Sequence, residues 1–103
     1  MKIELLYFNG CPSWKAALKN LETALVAEVV EAEIELIEVK DSEQANLLKF
    51  LGSPSFCVNG QDWWLEARQT YNLSCRVYAT SQGMRGVPTV EMLREKIQVL
   101  KSE

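Results

Sequence analysis

The residue best placed for chemistry is Cys11, which lies between Asn9-Gly10 and Pro12 in a short turn between two apolar patterns. Proline is well tolerated at the first helical position, so Cys11 is predicted at or just before a helix N-terminus. The unpaired N–H groups and the positive end of the helix dipole favour a thiolate there. The sequence therefore predicts that Cys11 is a reactive thiol. The alternative is a small buried hydrophobic residue that happens to precede Pro12.

The other two cysteines are expected to be structural. Cys57 lies between apolar residues in a predicted central strand, where a free cysteine is commonly buried. Cys75 precedes Arg76, which could lower its pKa, but strand alternation points the two side chains to opposite faces. Cys75 is expected to open a strand at the far end of the sheet, so neither thiol is expected to reach Cys11. Three thiols could bind a soft metal, but no Cys-x-x-Cys spacing supports a metal site.

Composition excludes several classes of function. The chain has 103 residues, a net charge of −3 and no histidine, which excludes Cys-His proteases, histidine-based zinc sites and histidine general bases. Its length predicts a single domain over residues 1–103. The absence of a basic run disfavours nucleic acid as a partner. An odd number of cysteines, with no signal-peptide pattern and no long apolar stretch, predicts a cytoplasmic protein that does not associate with a membrane.

Strand and helix patterns alternate along the chain, which predicts an α/β fold with parallel strands joined by a crossover helix. The interleaved glutamates of the second strand indicate an edge position. The predicted elements are strands at Ile3–Phe8, Ile34–Val39 and Phe56–Val58, helices from the Cys11 turn to near Val29 and from Asp41 to Gly52, and a final helix that opens at Val87-Pro88-Thr89.

The strand that follows the Asn59-Gly60 turn has two candidates. A direct hairpin would use Gln61–Leu65, whereas the preferred assignment is Cys75–Ala79, with Asp62–Ser74 as an excursion. The excursion carries Trp63 and Trp64. Two adjacent tryptophans in a connector predict either a satellite core or a surface patch for a homodimer or protein partner.

The order β-α-β-α-β-β-α, with a Cys-Pro turn after the first strand and Xaa-Pro before the third, resembles the thioredoxin-like fold, a four-stranded mixed sheet flanked by helices. More narrowly, the chain is similar to a small bacterial thioredoxin-like family with a Gly-Cys-Pro-x-Trp site, whose members are sometimes labelled organomercurial-lyase-like. The matching segments are Tyr7-Phe8-Asn9-Gly10-Cys11-Pro12, Leu51-Gly52-Ser53-Pro54, Ser74-Cys75-Arg76-Val77-Tyr78 and Gly86-Val87-Pro88.

The resemblance implies a site around Cys11. The Ser53–Pro54 peptide bond would be cis and would lie beside Cys11, so that Ser53 and Pro54 present backbone groups to a bound thiol or extended substrate. Pro12 would fix the turn, and Trp14 would either pack at the rim of the site or contact substrate.

The family's second cysteine is replaced by Trp14, which closes the Cys-x-x-Cys route of resolution. The resemblance then implies a monothiol thiol–disulfide oxidoreductase in which Cys11 is catalytic and an outside thiol such as glutathione resolves the intermediate. The partner would be a small thiol or a protein disulfide, and no cofactor is implied. Two alternatives remain open: a binding module without turnover, for a thiol-bearing ligand, a soft metal or a protein partner, and a scaffold with a vestigial site.

Overall fold

The structure is a computed structural model, and it describes residues 1–102. It contains three helices, a four-stranded sheet and a separate two-stranded sheet. The strands are β1 (Lys2–Tyr7), β2 (Glu33–Glu38), β3 (Ser55–Val58), β4 (Gln61–Asp62), β5 (Tyr78–Thr80) and β6 (Gly83–Arg85), and the helices are α1 (Trp14–Ala27), α2 (Ser42–Leu48) and α3 (Val90–Lys101). Among the described residues, no helix is long and apolar enough to cross a membrane.

The larger sheet is mixed and has the order β2-β1-β3-β4. Strand β1 pairs in parallel with β2 and antiparallel with β3, and β3 pairs antiparallel with β4. The predicted α/β class and four-stranded mixed sheet are therefore confirmed. Strand β2 lies at an edge, as its glutamates indicate, while the apolar β1 lies inside the sheet.

Two buried clusters flank the sheet because successive side chains of β1 point to opposite faces. Leu5 packs in the larger cluster with residues of α1 and α3, whereas Leu6 packs in the smaller cluster with Ala45 of α2. Helices α1 and α3 thus cover one face of the sheet, and α2 covers the other. The larger cluster comprises Ile3, Leu5, Ala17, Leu21, Ala24, Leu25, Phe56, Tyr78, Leu93 and Ile97.

The preferred assignment of the return strand is wrong. Strand β4 follows β3 directly, and Asn59 and Gly60 form the turn with φ values of 56° and 77°. Both residues lie in the left-handed region that a two-residue hairpin requires, so the local turn sets the pairing. Tyr78–Thr80 instead forms a separate hairpin with Gly83–Arg85.

Trp63 and Trp64 form a satellite of the larger core. Both rings are half-buried, and their centroids lie 6.0 and 5.9 Å from that of Phe56. Trp64 also meets Tyr78 edge-on, with 5.3 Å between centroids. Of the two alternatives, this packing favours the satellite core over a free surface patch.

Replacement of Trp64 by alanine should lower the free energy of unfolding by about 3 kcal/mol, near the lower end for an aromatic residue because the ring is half-buried. Its neighbour Leu65 is 71% exposed and provides the matched control. Leu65→Ala should change stability by no more than about 0.5 kcal/mol. Urea unfolding measures both effects. A stable Trp64→Ala variant whose sedimentation changes would instead assign the ring to an interface.

A carboxylate at the end of α1 ties that helix to α3. Glu28 is nearly buried and accepts hydrogen bonds from Arg94 at 2.8 Å and Gln98 at 3.0 Å, with the Lys101 ammonium 3.5 Å away. The Arg94 hydrogen bond, followed by that of Gln98, lowers the pKa of Glu28 below its ordinary value, and this outweighs the opposing effect of burial.

Because the folded pKa of Glu28 is lowered, its contribution to stability is present above the unfolded value of about 4.3 and is lost as the pH falls through the folded value. Glu28→Gln should therefore be less stable than wild type at neutral pH, and the difference should shrink below about pH 4. Urea unfolding from neutral pH down to about pH 3 measures this, with the exposed Glu31→Gln as control. A difference that does not change with pH would contradict the assignment.

Candidate thiol site

Cys11 lies in the loop between β1 and α1. Its backbone N–H donates to the Phe8 carbonyl at 3.1 Å, and its side chain is only 1% exposed. Helix α1 begins at Trp14 with Ser13 as its N-cap, so Pro12 precedes the helix and is exposed. Pro12 thus belongs to the turn that presents Cys11 and is not the first helical residue.

Cys75 lies directly against Cys11, 64 positions away in the sequence. The Cys75 thiol donates a hydrogen bond to Cys11 Sγ, with 2.7 Å between the sulfurs. The expectation that Cys75 is remote from Cys11 is therefore wrong. It assumed that Cys75 opens a strand at the far end of the sheet, whereas Cys75 forms an isolated parallel bridge with Ser53, beside the Cys11 turn.

The backbone of Ser53 holds the segment that carries Cys75. The Ser53 N–H donates to the Ser74 carbonyl at 2.8 Å, and the Arg76 N–H donates to the Ser53 carbonyl at 2.9 Å. The resemblance implies that Ser53 presents these groups to a bound thiol or extended substrate, whereas residues 74–76 of the same chain occupy them in this structure.

Glycine at position 52 allows this close approach. Gly52 has a φ of 115°, and a Cβ there would lie 3.0 Å from the Arg76 Cβ and 3.2 Å from the Arg76 Cα. A larger residue would be strained by the backbone conformation and would push the Cys75 segment away. The Ser53–Pro54 peptide bond is cis, as expected, and the buried Tyr78 hydroxyl donates to the Pro54 carbonyl.

The buried side chain of Arg76 anchors residues 74–76 to the rest of the protein. Its side chain and that of Asp62 are 2% and 6% exposed and form an ion pair at 2.9 Å. The guanidinium also donates to Ser55 Oγ at 3.1 Å and to the Trp64 carbonyl. Removal of one member of such a buried pair costs about 3–5 kcal/mol, because the other charge is left without its partner. Strand alternation places Cys75 outward while Arg76 points inward.

The pKa values of Cys11 and Cys75 are shifted in opposite directions. Burial would raise the pKa of Cys11, but hydrogen bonds from Cys75, from the Ser13 backbone and hydroxyl, and from Ser53 outweigh it and lower that pKa. The pKa of Cys75 is raised by its hydrogen bond to Cys11 and by burial. Burial raises the pKa of Cys57 to about 12, which agrees with an unreactive structural thiol. Of the two contacting thiols, Cys11 is therefore the one that ionises more readily.

Ser53 supplies a hydroxyl that has no other partner among the described residues. Its side chain is fully buried, and Oγ makes no hydrogen bond while Cys11 is protonated and donates to the Ser53 carbonyl at 3.6 Å. A buried hydroxyl without a partner costs free energy. Hydrogen bonding from Ser53 is among the causes that lower the pKa of Cys11, so this side chain favours the thiolate form.

The remaining predicted site residue is Trp14, whose half-buried ring stacks on Tyr7 with 4.2 Å between centroids. Within residues 1–102, no group of three or more His, Cys, Asp or Glu side chains is placed to hold a metal ion. A cleft of about 300 Å³ lies between α1 and residues 82–89, and Ser13 lines it but neither Cys11 nor Cys75 does.

Sequence reasoning missed Cys75 as a partner of Cys11 and Ser13 as a thiolate donor. Strand alternation predicts that the side chains of Cys75 and Arg76 point to opposite faces. No local pattern, however, indicates which elements their segment contacts. Comparison with protein-family models, with curated proteins and with solved structures found no match to this chain.

Replacement of Ser53 by alanine should raise the pKa of Cys11, because a donor to the thiolate is lost while the backbone pairing is kept. Thiolate absorbance and alkylation rate against pH, with Cys11 identified by peptide mapping, measure the change. Ser74→Ala is the control, since its hydroxyl is not among the donors to Cys11. A titration curve identical to that of wild type would show that the Ser53 hydroxyl does not reach the sulfur.

Proposed function

We propose that this protein is a thioredoxin-like thiol–disulfide oxidoreductase whose redox pair is Cys11 and Cys75. The observation that carries the proposal is the contact between the two sulfurs, which lie 2.7 Å apart. Formation of a disulfide requires converging side chains and a bond length of about 2.05 Å, so only a small approach is needed.

The arrangement around the pair supports this family. A four-stranded mixed sheet, a cysteine-proline turn after β1 and a cis-proline before β3 are features that the thioredoxin-like resemblance implies. Cys11 contacts the Ser53 carbonyl, which immediately precedes that cis-proline. Fold alone does not define an activity, so the proposal depends on the thiol pair.

The reaction is a two-electron exchange. When the reduced pair meets a disulfide, one protein thiolate attacks a substrate sulfur, the substrate S–S bond breaks, and a mixed disulfide forms with release of one substrate thiolate. The second protein thiolate then attacks the protein sulfur of the mixed disulfide and releases the other substrate thiolate. The protein loses two electrons and two protons and gains the Cys11–Cys75 bond, while the substrate becomes two thiols.

The contact changes the expected mechanism from monothiol to dithiol exchange. Resolution by an outside thiol was expected because Trp14 replaces the second cysteine of the family motif and Cys75 was placed far away. With Cys75 against Cys11, the second thiol is supplied by the chain itself. An intramolecular thiol at this distance reacts ahead of one that must diffuse to the site.

Oxidised glutathione should convert the reduced protein to a form that has lost two hydrogens and carries no glutathione, with a linked peptide pair containing Cys11 and Cys75. Mass spectrometry after acid quenching measures this. Cys57→Ala is the control and should form the same bond, since Cys57 lies in the other cluster beside α2. Cys11→Ser and Cys75→Ser should each lose catalysis of disulfide reduction or exchange.

Two results would contradict the proposal. A glutathione adduct that persists on Cys11 with no linked peptide would restore the monothiol mechanism. Formation of neither an adduct nor a linked pair, together with no exchange activity, would favour a binding module without turnover.

A further inference from the structure

We infer that the exposed Cys75, not the buried Cys11, is the sulfur that bonds to the substrate, and that Cys11 is the inner thiolate that leaves and resolves. This assignment of roles rests on the proposed function. It starts from a difference in access, because Cys11 is 1% exposed while Cys75 is exposed. The position of Cys11 in the cysteine-proline turn would suggest the opposite roles for the two thiols.

Strand alternation explains the access of Cys75. Arg76 and Tyr78 are buried beneath the segment, whereas Cys75 and Val77 face outward. The buried Cys11 lies against the Cys75 sulfur, close to the Ser53 carbonyl and the end of β1. A molecule that approaches from solvent therefore meets the sulfur of Cys75 first.

The stereochemistry of thiol–disulfide exchange also favours Cys75 as the sulfur that bonds to the substrate. Displacement at a disulfide sulfur is in line, so the attacking thiolate approaches opposite the bond that breaks. Attack on Cys75 Sγ of the oxidised pair comes from the side away from Cys11, and attack on Cys11 Sγ comes from the side away from Cys75. Because Cys75 is exposed and Cys11 is only 1% exposed, the first approach is the more open of the two.

The surroundings of Cys11 suit a leaving group. A thiolate of lowered pKa leaves faster in exchange, and Ser13 and Ser53 both favour the charged form of Cys11. Neither donor belongs to residues 74–76, the segment that carries Cys75.

The steps balance for an outside thiol. A substrate thiolate attacks Cys75 Sγ, the Cys11–Cys75 bond breaks, and Cys11 leaves as a thiolate with the electron pair. A second substrate thiolate then attacks the substrate sulfur bonded to Cys75 and releases Cys75, which takes up a proton. Two substrate thiols become one disulfide, and the protein pair is reduced by two electrons. The reverse sequence reduces a substrate disulfide: Cys75 gives up its proton and attacks as the thiolate, and the Cys11 thiolate then resolves the mixed disulfide.

The direct test uses the oxidised wild-type protein and reduced glutathione. The reaction is quenched during turnover with acid and then alkylated with N-ethylmaleimide, and the peptides are mapped by mass spectrometry. Glutathione should be found on Cys75 and the maleimide on Cys11. The opposite labelling would overturn the assignment of roles while leaving the redox pair intact. Failure to obtain the Cys11–Cys75 disulfide at the outset would instead refute the proposed function.

Single-cysteine variants provide a second measurement. In Cys11→Ser, oxidised glutathione should form a lasting adduct on Cys75 at alkaline pH, where that thiol ionises. In Cys75→Ser, the serine keeps Cys11 covered, and the thiolate fraction of Cys11 should react with oxidised glutathione roughly tenfold or more slowly than that of Cys75 once both rates are corrected for ionisation. Equal or faster reaction of Cys11 would contradict the inference. Circular dichroism verifies that both variants are folded.

Discussion

The geometry of the thiol pair depends on Arg76, whose buried guanidinium is paired with Asp62. Burial by itself lowers the pKa of Arg76, but Tyr78 and the ion pair with Asp62 outweigh it, so the side chain remains charged. A charge at this depth is stable only with its partners, which fix its position. The same residue donates its backbone N–H to Ser53. Through these two attachments, one residue sets the place of its neighbour Cys75.

The three cysteines show why burial alone does not decide reactivity. Cys57 and Cys11 are both buried, yet the pKa of Cys57 is raised and that of Cys11 is lowered. Cys57 lies in an apolar cluster with Asp62 nearby, whose charge opposes ionisation. At Cys11 burial also opposes ionisation, but hydrogen bonding from Cys75, Ser13 and Ser53 outweighs it. Donors that are already in position replace the water that the thiolate loses on burial.

Much of the architecture could be predicted from the sequence because it follows from local patterns. The apolar β1, the glutamate-bearing edge strand β2 and the three amphipathic helices have the periodicities of their elements. Asp41 caps α2 by accepting from the Gln44 N–H at 2.8 Å, as the capping pattern predicts. The Asn59-Gly60 turn was also correctly identified. The preferred prediction for the return strand, Cys75–Ala79, is wrong because this turn leads directly into β4, which pairs with β3.

The sequence by itself determined that Cys11 lies in a turn between a strand and a helix, because that depends only on neighbouring residues. Only the tertiary structure decided that Cys75 contacts it, since the long connection after β4 could place its far end at either end of the sheet. Contacts distant in sequence settle the choice: Gly52 admits the Arg76 backbone, and Asp62 pairs with the Arg76 side chain. No local pattern encodes such a contact, because its free energy arises only when separated segments are packed together.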